Sequence, residues 1–163
     1  MTVLVVCAGV YADVIKDDPF AGVDRLAGGL DCWCVRPGWG CVVGYGGGLA
    51  VGCACGGVVP PGAGWWGGLL TGVGGGLVRE SGTRTCAVSG LLVRVLWRKR
   101  GVFRRLHDAV LAERSEGRAT VLVRRSHLKV DALYGSWGWR AIGDLRPRIG
   151  HVPLMHAMLV DLR

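Results

Sequence analysis

A chain of 163 residues that is 50% hydrophobic and only 20% charged is long enough to bury a core, and this composition excludes intrinsic disorder. Its net charge of +8 is unevenly placed: residues 1–93 carry 5 basic and 6 acidic side chains, whereas residues 94–163 carry 15 and 6. The C-terminal half is therefore expected to face an anionic partner.

The opening run Met1–Cys7 has no basic flank and is short for a secretory signal, so export is not expected. Apolar residues at helical spacing predict a helix over Val6–Ile15, stopped by Asp17-Asp18-Pro19. A second helix is expected over Val23–Val35, weakened by Gly28-Gly29 and ending before Pro37-Gly38. From Pro37 to Val78 no residue is charged, which invites a membrane span, but Pro60-Pro61 and many glycines break the stretch. Buried strand and uncharged loop are expected instead. The runs Cys41–Tyr45 and Leu49–Cys55 around Gly46-Gly47-Gly48 predict an antiparallel hairpin. A loop over Gly56–Gly82 follows, with a rigid aromatic section at Pro60, Pro61, Trp65 and Trp66.

Thr83–Val95 predicts a long strand, Val102–Arg114 an amphipathic helix, and Ala119–Val123 a buried strand. Leu128–Trp137 predicts a short helix, Trp139–Gly143 a strand and Val152–Leu162 a final strand. The order α-α-β-β-β-α-β-α-β-β implies one α/β domain with a mixed sheet and helices on both faces. The seven cysteines, Cys7, Cys32, Cys34, Cys41, Cys53, Cys55 and Cys86, form no Cys-x-x-Cys pair, so the usual zinc signature is absent. Cys53 and Cys55 share a face of their strand and are read as small buried apolar residues, with a metal site as the lesser alternative. A reducing cytoplasm and no metal are the expectations.

Arg98-Lys99-Arg100-Gly101-Val102-Phe103-Arg104-Arg105 places five cations between the long strand and the amphipathic helix. The positive end of a helix macrodipole disfavours cations in the first turn, and no Ser, Thr, Asp or Asn precedes Gly101 as a cap. An anion docked on the backbone N–H groups would remove both faults, so the turn is read as a cradle for a phosphorylated cofactor.

Taken with the elements around it, this turn resembles the pyrophosphate loop of the GNAT N-acetyltransferase family. Arg98-x-x-Gly101-x-Phe103 is similar to the family's Gln/Arg-x-x-Gly-x-Gly/Ala pattern, and Leu133-Tyr134-x-x-x-Gly138-Trp139 is similar to its Leu-Tyr-x-x-x-Gly-aromatic motif. The resemblance is best over Ala87–Ile142 and implies a small bacterial member with a GNAT-like acyl-CoA N-acyltransferase fold. The family's first strand, ahead of the first helix, is missing or reduced, so the start is expected to be truncated. Acetyl-CoA is the implied cosubstrate. Its pantetheine arm would lie beside Leu92, Val93 and Arg94, with its phosphates on amides from Lys99 to Arg104 and countercharge from Arg98, Lys99, Arg100, Arg104 and Arg105. Tyr134 is the implied acid for the leaving thiolate, with packing on its helix as the equal alternative.

Several motif positions depart from the pattern. Gly90 stands where many relatives carry a Glu that helps deprotonate the amine; Phe103 replaces a small residue; His127, Val130 and Val95 replace the usual Asn, Ala and Pro. Glu80, His127 and His156 are alternative bases, although a surface or core role is the plainer account of each. His107 is expected on the helix surface. Trp65 and Trp66 either line the acceptor pocket or bury against the sheet. The leading expectation is an N-acetyltransferase acting on a small-molecule or peptide amine. A catalytically impaired CoA-binding module is the alternative, and a nucleic-acid-binding protein ranks third because no DNA- or RNA-binding motif is present. A membrane partner is not expected, and a homodimer is the default for oligomeric state.

Overall fold

The computed structural model describes residues 2–16, 37–62, 64–147 and 153–163. Six strands form a mixed sheet in the order β1-β2-β3-β4-β6-β5, with β1 at Gly40–Gly46, β2 at Leu49–Val58, β3 at Thr85–Val93, β4 at Arg118–Arg124, β5 at Arg140–Leu145 and β6 at Met155–Asp161. The helices are α1 (Val3–Ile15), the single turn α2 (Gly75–Val78), α3 (Val102–Ala112) and α4 (Leu128–Ser136). The α/β class and the flanked mixed sheet are those expected; the helix expected over Val23–Val35 lies outside the described residues. The chain divides into two compact units, Met1–Gly57 with Val88–Arg114, and Val58–Ala87 with Ser115–Arg163. Among the described residues no helix is long and apolar enough to cross a membrane.

In the first unit the hairpin is set by its glycines. Gly47 and Gly48 both take positive φ, 57° and 81°, as a two-residue turn of the hairpin type needs. The register runs from Gly46↔Leu49 to Gly40↔Gly56, with an irregularity between Gly44 and Tyr45. Alternation along the strands then sorts the side chains. Cys53 and Cys55 pack with Cys7 and Val10 of α1, and Cys41 joins them. The opposite face presents Gly44 and Gly52 to Leu106 of α3; a Cβ on Gly52 would come within 2.7 Å of the Leu92 carbonyl and 2.8 Å of Leu106. Bare backbone at that position lets α3 approach. The helix α1 starts three residues before its expected boundary, where the Thr2 carbonyl accepts the amides of Val5 at 3.0 Å and Val6 at 3.2 Å.

In the second unit β6 pairs antiparallel with β4 from Arg118↔Asp161 to Arg124↔Met155, and with β5 across an irregularity between Ala141 and Gly143. One face gathers Trp66, Leu145, Ala157 and Leu159, with Leu122 and Ile142 against them. On the other, His156 of β6 meets Asp131 of α4. The expected loop over Gly56–Gly82 needs correction: β2 continues to Val58, and a 3-10 turn at Gly64–Trp66 and α2 break up the remainder. Trp66 is buried with its indole N–H donated to Glu80 at 3.0 Å, and Trp65 packs on the same core, which favours burial over a pocket wall for both.

Glu80 anchors this unit. One of its oxygens accepts from Trp66, from Thr85 Oγ1 at 2.9 Å and from Arg118 Nη2 at 2.9 Å. Arg118 also donates to Thr85 Oγ1 and to the Leu77 carbonyl, both at 2.7 Å, and its guanidinium lies 6.0 Å from the Trp66 ring. Side-chain exposures of 6% and 3% make this a buried ion pair. Such a pair holds only while all its partners stay in place.

Candidate active site

The strand β3 stops at Val93, two residues short of its expected end. The Arg94 N–H reaches the Val51 carbonyl at 2.9 Å, and Val95–Trp97 then coil into a 3-10 turn. The basic turn follows. Lys99 has φ 60° and Gly101 φ 74°; Lys99 is the one non-glycine residue with positive φ among the described residues. Two left-handed residues in three reverse the chain sharply, and Gly101 becomes the residue that opens α3. No side chain caps this end and no acidic residue lies in its first turn; the first helical bond runs from the Arg105 N–H to the Gly101 carbonyl at 3.1 Å.

The cations around the turn are not equivalent. Arg98 donates Nε to the Val93 carbonyl at 3.2 Å, and the Arg100 guanidinium lies 5.3 Å from the Trp97 ring. Arg104 is paired with Asp108 at 2.9 Å on the helix surface. Lys99 and Arg105 are exposed, and neither has an ion pair among the described residues. Trp97 rests on Gly46 of the hairpin, where any Cβ would collide with its ring. A cavity of about 310 Å³ lies under α3, lined by Val43, Val51, Trp97, Val102 and Arg105 among others.

Of the remaining residues expected at the cofactor, Arg94 has a structural use. Its side chain donates to the Ala50 carbonyl at 2.8 Å and pairs with Asp13 at 3.1 Å. Val93 is buried, Leu92 packs against the Cys7 cluster, and Val102 and Phe103 are half-buried. A Cβ on Gly90 would meet nothing within 4 Å, so that position has room for a side chain. All ten residues expected at the cofactor belong to the first unit.

Tyr134 belongs to the second. It is 2% exposed, edge-on to Trp137 at 5.7 Å and to Trp139 at 5.3 Å between ring centroids. Burial pushes its phenol above the ordinary value of about 10, so the hydroxyl stays protonated through the physiological range. Among the alternative bases, Glu80 is withdrawn by its pairing with Arg118. His127 is exposed at the start of α4, and His156 is held by Asp131 at 3.0 Å. The surface placement expected for His107 is overturned: it is 5% exposed, because it sits three residues before Val110 on the face that α3 buries. Burial lowers its pKa, against the opposing effect of Asp108, whose Oδ1 lies 2.8 Å from Nδ1.

One constellation differs from the pair Cys53 and Cys55 that the sequence offers as a lesser metal alternative. Cys7 from α1, Cys41 from β1 and Cys55 from β2 place their sulfurs within 4.8 Å of one another. The spacings 34 and 14 match no ligand motif; cross-strand pairing of Cys41 with Cys55 and the seat of α1 bring them together.

No family model and no curated protein matches the sequence. Solved structures do. The ribosomal-protein-S18-alanine N-acetyltransferase of Escherichia coli is 15% identical, with a TM-score of 0.67 over 99% of this chain and 90% of that one. An acetyltransferase of the GNAT family from Staphylococcus aureus Mu50 is 12% identical, with a TM-score of 0.65 over 98% and 93%. An aminoglycoside 6'-N-acetyltransferase complexed with coenzyme A is 13% identical, with a TM-score of 0.64 over 98% and 91%. The likeness spans nearly the whole chain, and the fold is that of the GNAT acetyltransferases.

Proposed function

We propose that the chain is an acyl-CoA-dependent N-acetyltransferase that moves the acetyl group of acetyl-CoA onto an amine of a small molecule or peptide in the cytoplasm. The observation that carries this reading is the start of α3: an uncapped helix end, turned through Lys99 and Gly101 and ringed by cations, on a fold shared with acetyltransferases. Lys99 and Arg105 have no carboxylate partner among the described residues, so they supply countercharge to the phosphates together with Arg98 and Arg100, while the turn supplies backbone donors. Arg104, shared with Asp108, contributes less. The pantetheine arm runs beside Leu92 and Val93; the Arg94 N–H, committed to Val51, takes no part.

In the transfer the neutral amine nitrogen attacks the thioester carbonyl, the carbon–sulfur bond breaks, the departing thiolate takes a proton from Tyr134, and the proton shed by the acetylated nitrogen restores the phenol. Burial keeps the phenol protonated, so its O–H is present to hydrogen-bond the sulfur, while the raised pKa makes it a weaker acid than a free tyrosine. Calorimetric titration with acetyl-CoA beside dephospho-CoA tests the site. Binding on the order of micromolar, weakened without the 3′-phosphate, is expected; no binding to folded protein overturns the reading.

Gly90 favours a second reading, a non-catalytic CoA-binding module, because it leaves β3 without a carboxylate to deprotonate the amine. The open space over Gly90 makes the distinction accessible. A gain in turnover in Gly90→Glu marks an enzyme lacking an optimal base, whereas acetyl-CoA binding without turnover in either form supports the module.

A further inference from the structure

Five cysteines are described in reduced form, and four of them meet at one place in the first unit. The Cys41 sulfur lies 3.3 Å from that of Cys7 and 2.8 Å from that of Cys55. Three separate elements thus bring three sulfurs within 4.8 Å of one another, and Cys53 packs in the same cluster. Small apolar residues would fill this space as well. Thiols clustered against one another have only weak donors and acceptors to exchange, which gives little reason for four of them.

We propose that Cys7, Cys41 and Cys55 bind a thiophilic divalent cation of the zinc class, with Cys53 of the same cluster completing a tetrahedral thiolate site. With a zinc–sulfur distance of about 2.3 Å, the sulfurs of such a site stand about 3.8 Å apart. Opening the two short contacts by about 0.5–1 Å brings Cys7, Cys41 and Cys55 to that spacing, and the Cys53 sulfur, outside their 4.8 Å group, swings in to complete the set. Cys7, Cys53 and Cys55 are 2–3% exposed, and half-buried Cys41 provides the way in. A thiolate set also needs outer N–H donors. Trp39 packs against the cluster, and its indole Nε1 is buried with no hydrogen-bond partner among the described residues. The site ties α1 to both strands of the hairpin and asks nothing of the acetyltransferase reading.

Elemental analysis of the full chain, purified without chelator from zinc-supplemented medium, is expected to find one zinc per chain. Titration of the metal-depleted protein with Co²⁺ is expected to give the intense visible bands of tetrahedral cobalt thiolate, a readout that requires no variant. Cys41→Ser and Cys7→Ala should weaken binding by roughly 100-fold or more. Cys86→Ala and the double variant Cys32→Ala/Cys34→Ala should retain the metal. Metal-free protein that gives no cobalt thiolate band overturns the proposal, as does a Cys41–Cys55 disulfide in anaerobically purified protein. Loss of zinc from the Cys32/Cys34 variant with retention in Cys41→Ser would also overturn it, by placing the ion elsewhere.

Discussion

The two units handle positive charge in opposite ways. Around Gly101 in the first, Arg98, Lys99, Arg100 and Arg105 stand in solvent, and none has an ion pair among the described residues. In the second, Arg118 is sealed beside Glu80, with Thr85 and the Leu77 carbonyl taking its other donors and Trp66 under its face. Residue type is shared; what differs is the number of acceptors the fold brings within about 3 Å. A guanidinium whose donors are used inside the protein holds elements together and has nothing left to offer a ligand. Cations left in water beside an uncapped helix retain their interaction energy for an incoming anion.

The sharpest way to break this contrast is to open the sealed pair. Glu80→Ala strands Arg118 and should destabilise the protein by about 3–5 kcal/mol in urea denaturation, while the folded fraction keeps its acetyl-CoA affinity. Equal loss of affinity would show that the buried pair also serves the ligand. Next in size, Tyr134→Phe should lower kcat by about 100-fold with acetyl-CoA binding unchanged in calorimetry. An unaltered kcat would reduce Tyr134 to packing against Trp137 and Trp139.

On the exposed side, Gly101→Val forces a branched side chain into φ 74° at a cost of about 1–2 kcal/mol, and acetyl-CoA affinity should fall at least about tenfold. Unchanged affinity would remove the ligand from this turn. The smallest effect concerns His107, whose pKa is depressed by burial. Above the unfolded value of about 6.5 it is neutral in both states and its contribution is complete. As the pH falls through 6.5 towards the lower folded value, the unfolded chain takes the proton first and stability is lost. Melting temperatures at pH 7.5 and 5.5 should show this loss in the wild type and less of it in His107→Gln.

Much of the fold was legible because its signals are local. The three-glycine turn between apolar runs gave the hairpin, and the helical spacing of Val102, Leu106, Ala109 and Val110 gave α3. The basic turn was legible because cations at a helix start contradict the macrodipole. Errors fell where tertiary contacts decide. Val95 continues the apolar pattern of β3, yet the strand ends at Val93 and Val95–Trp97 coil into a 3-10 turn. Glu80 looks like a loop carboxylate until Arg118, 38 positions later, pairs with it. His107 has a polar name, but the buried face of α3 is wide enough to include it. The cysteine cluster was illegible for the same reason: register and helix docking, rather than spacing, bring its members together.

Gly46 and Trp97 are fifty-one positions apart, yet each constrains what the other can become. The indole occupies the place of the missing Cβ, and Arg100 lies over that indole. Any enlargement at 46 must therefore be answered by a smaller ring at 97, and Arg100 loses its platform in the exchange. Sequences descending from a common ancestor with this chain should vary these two sites together, so that a hairpin glycine and an aromatic beside the basic turn are inherited as one character.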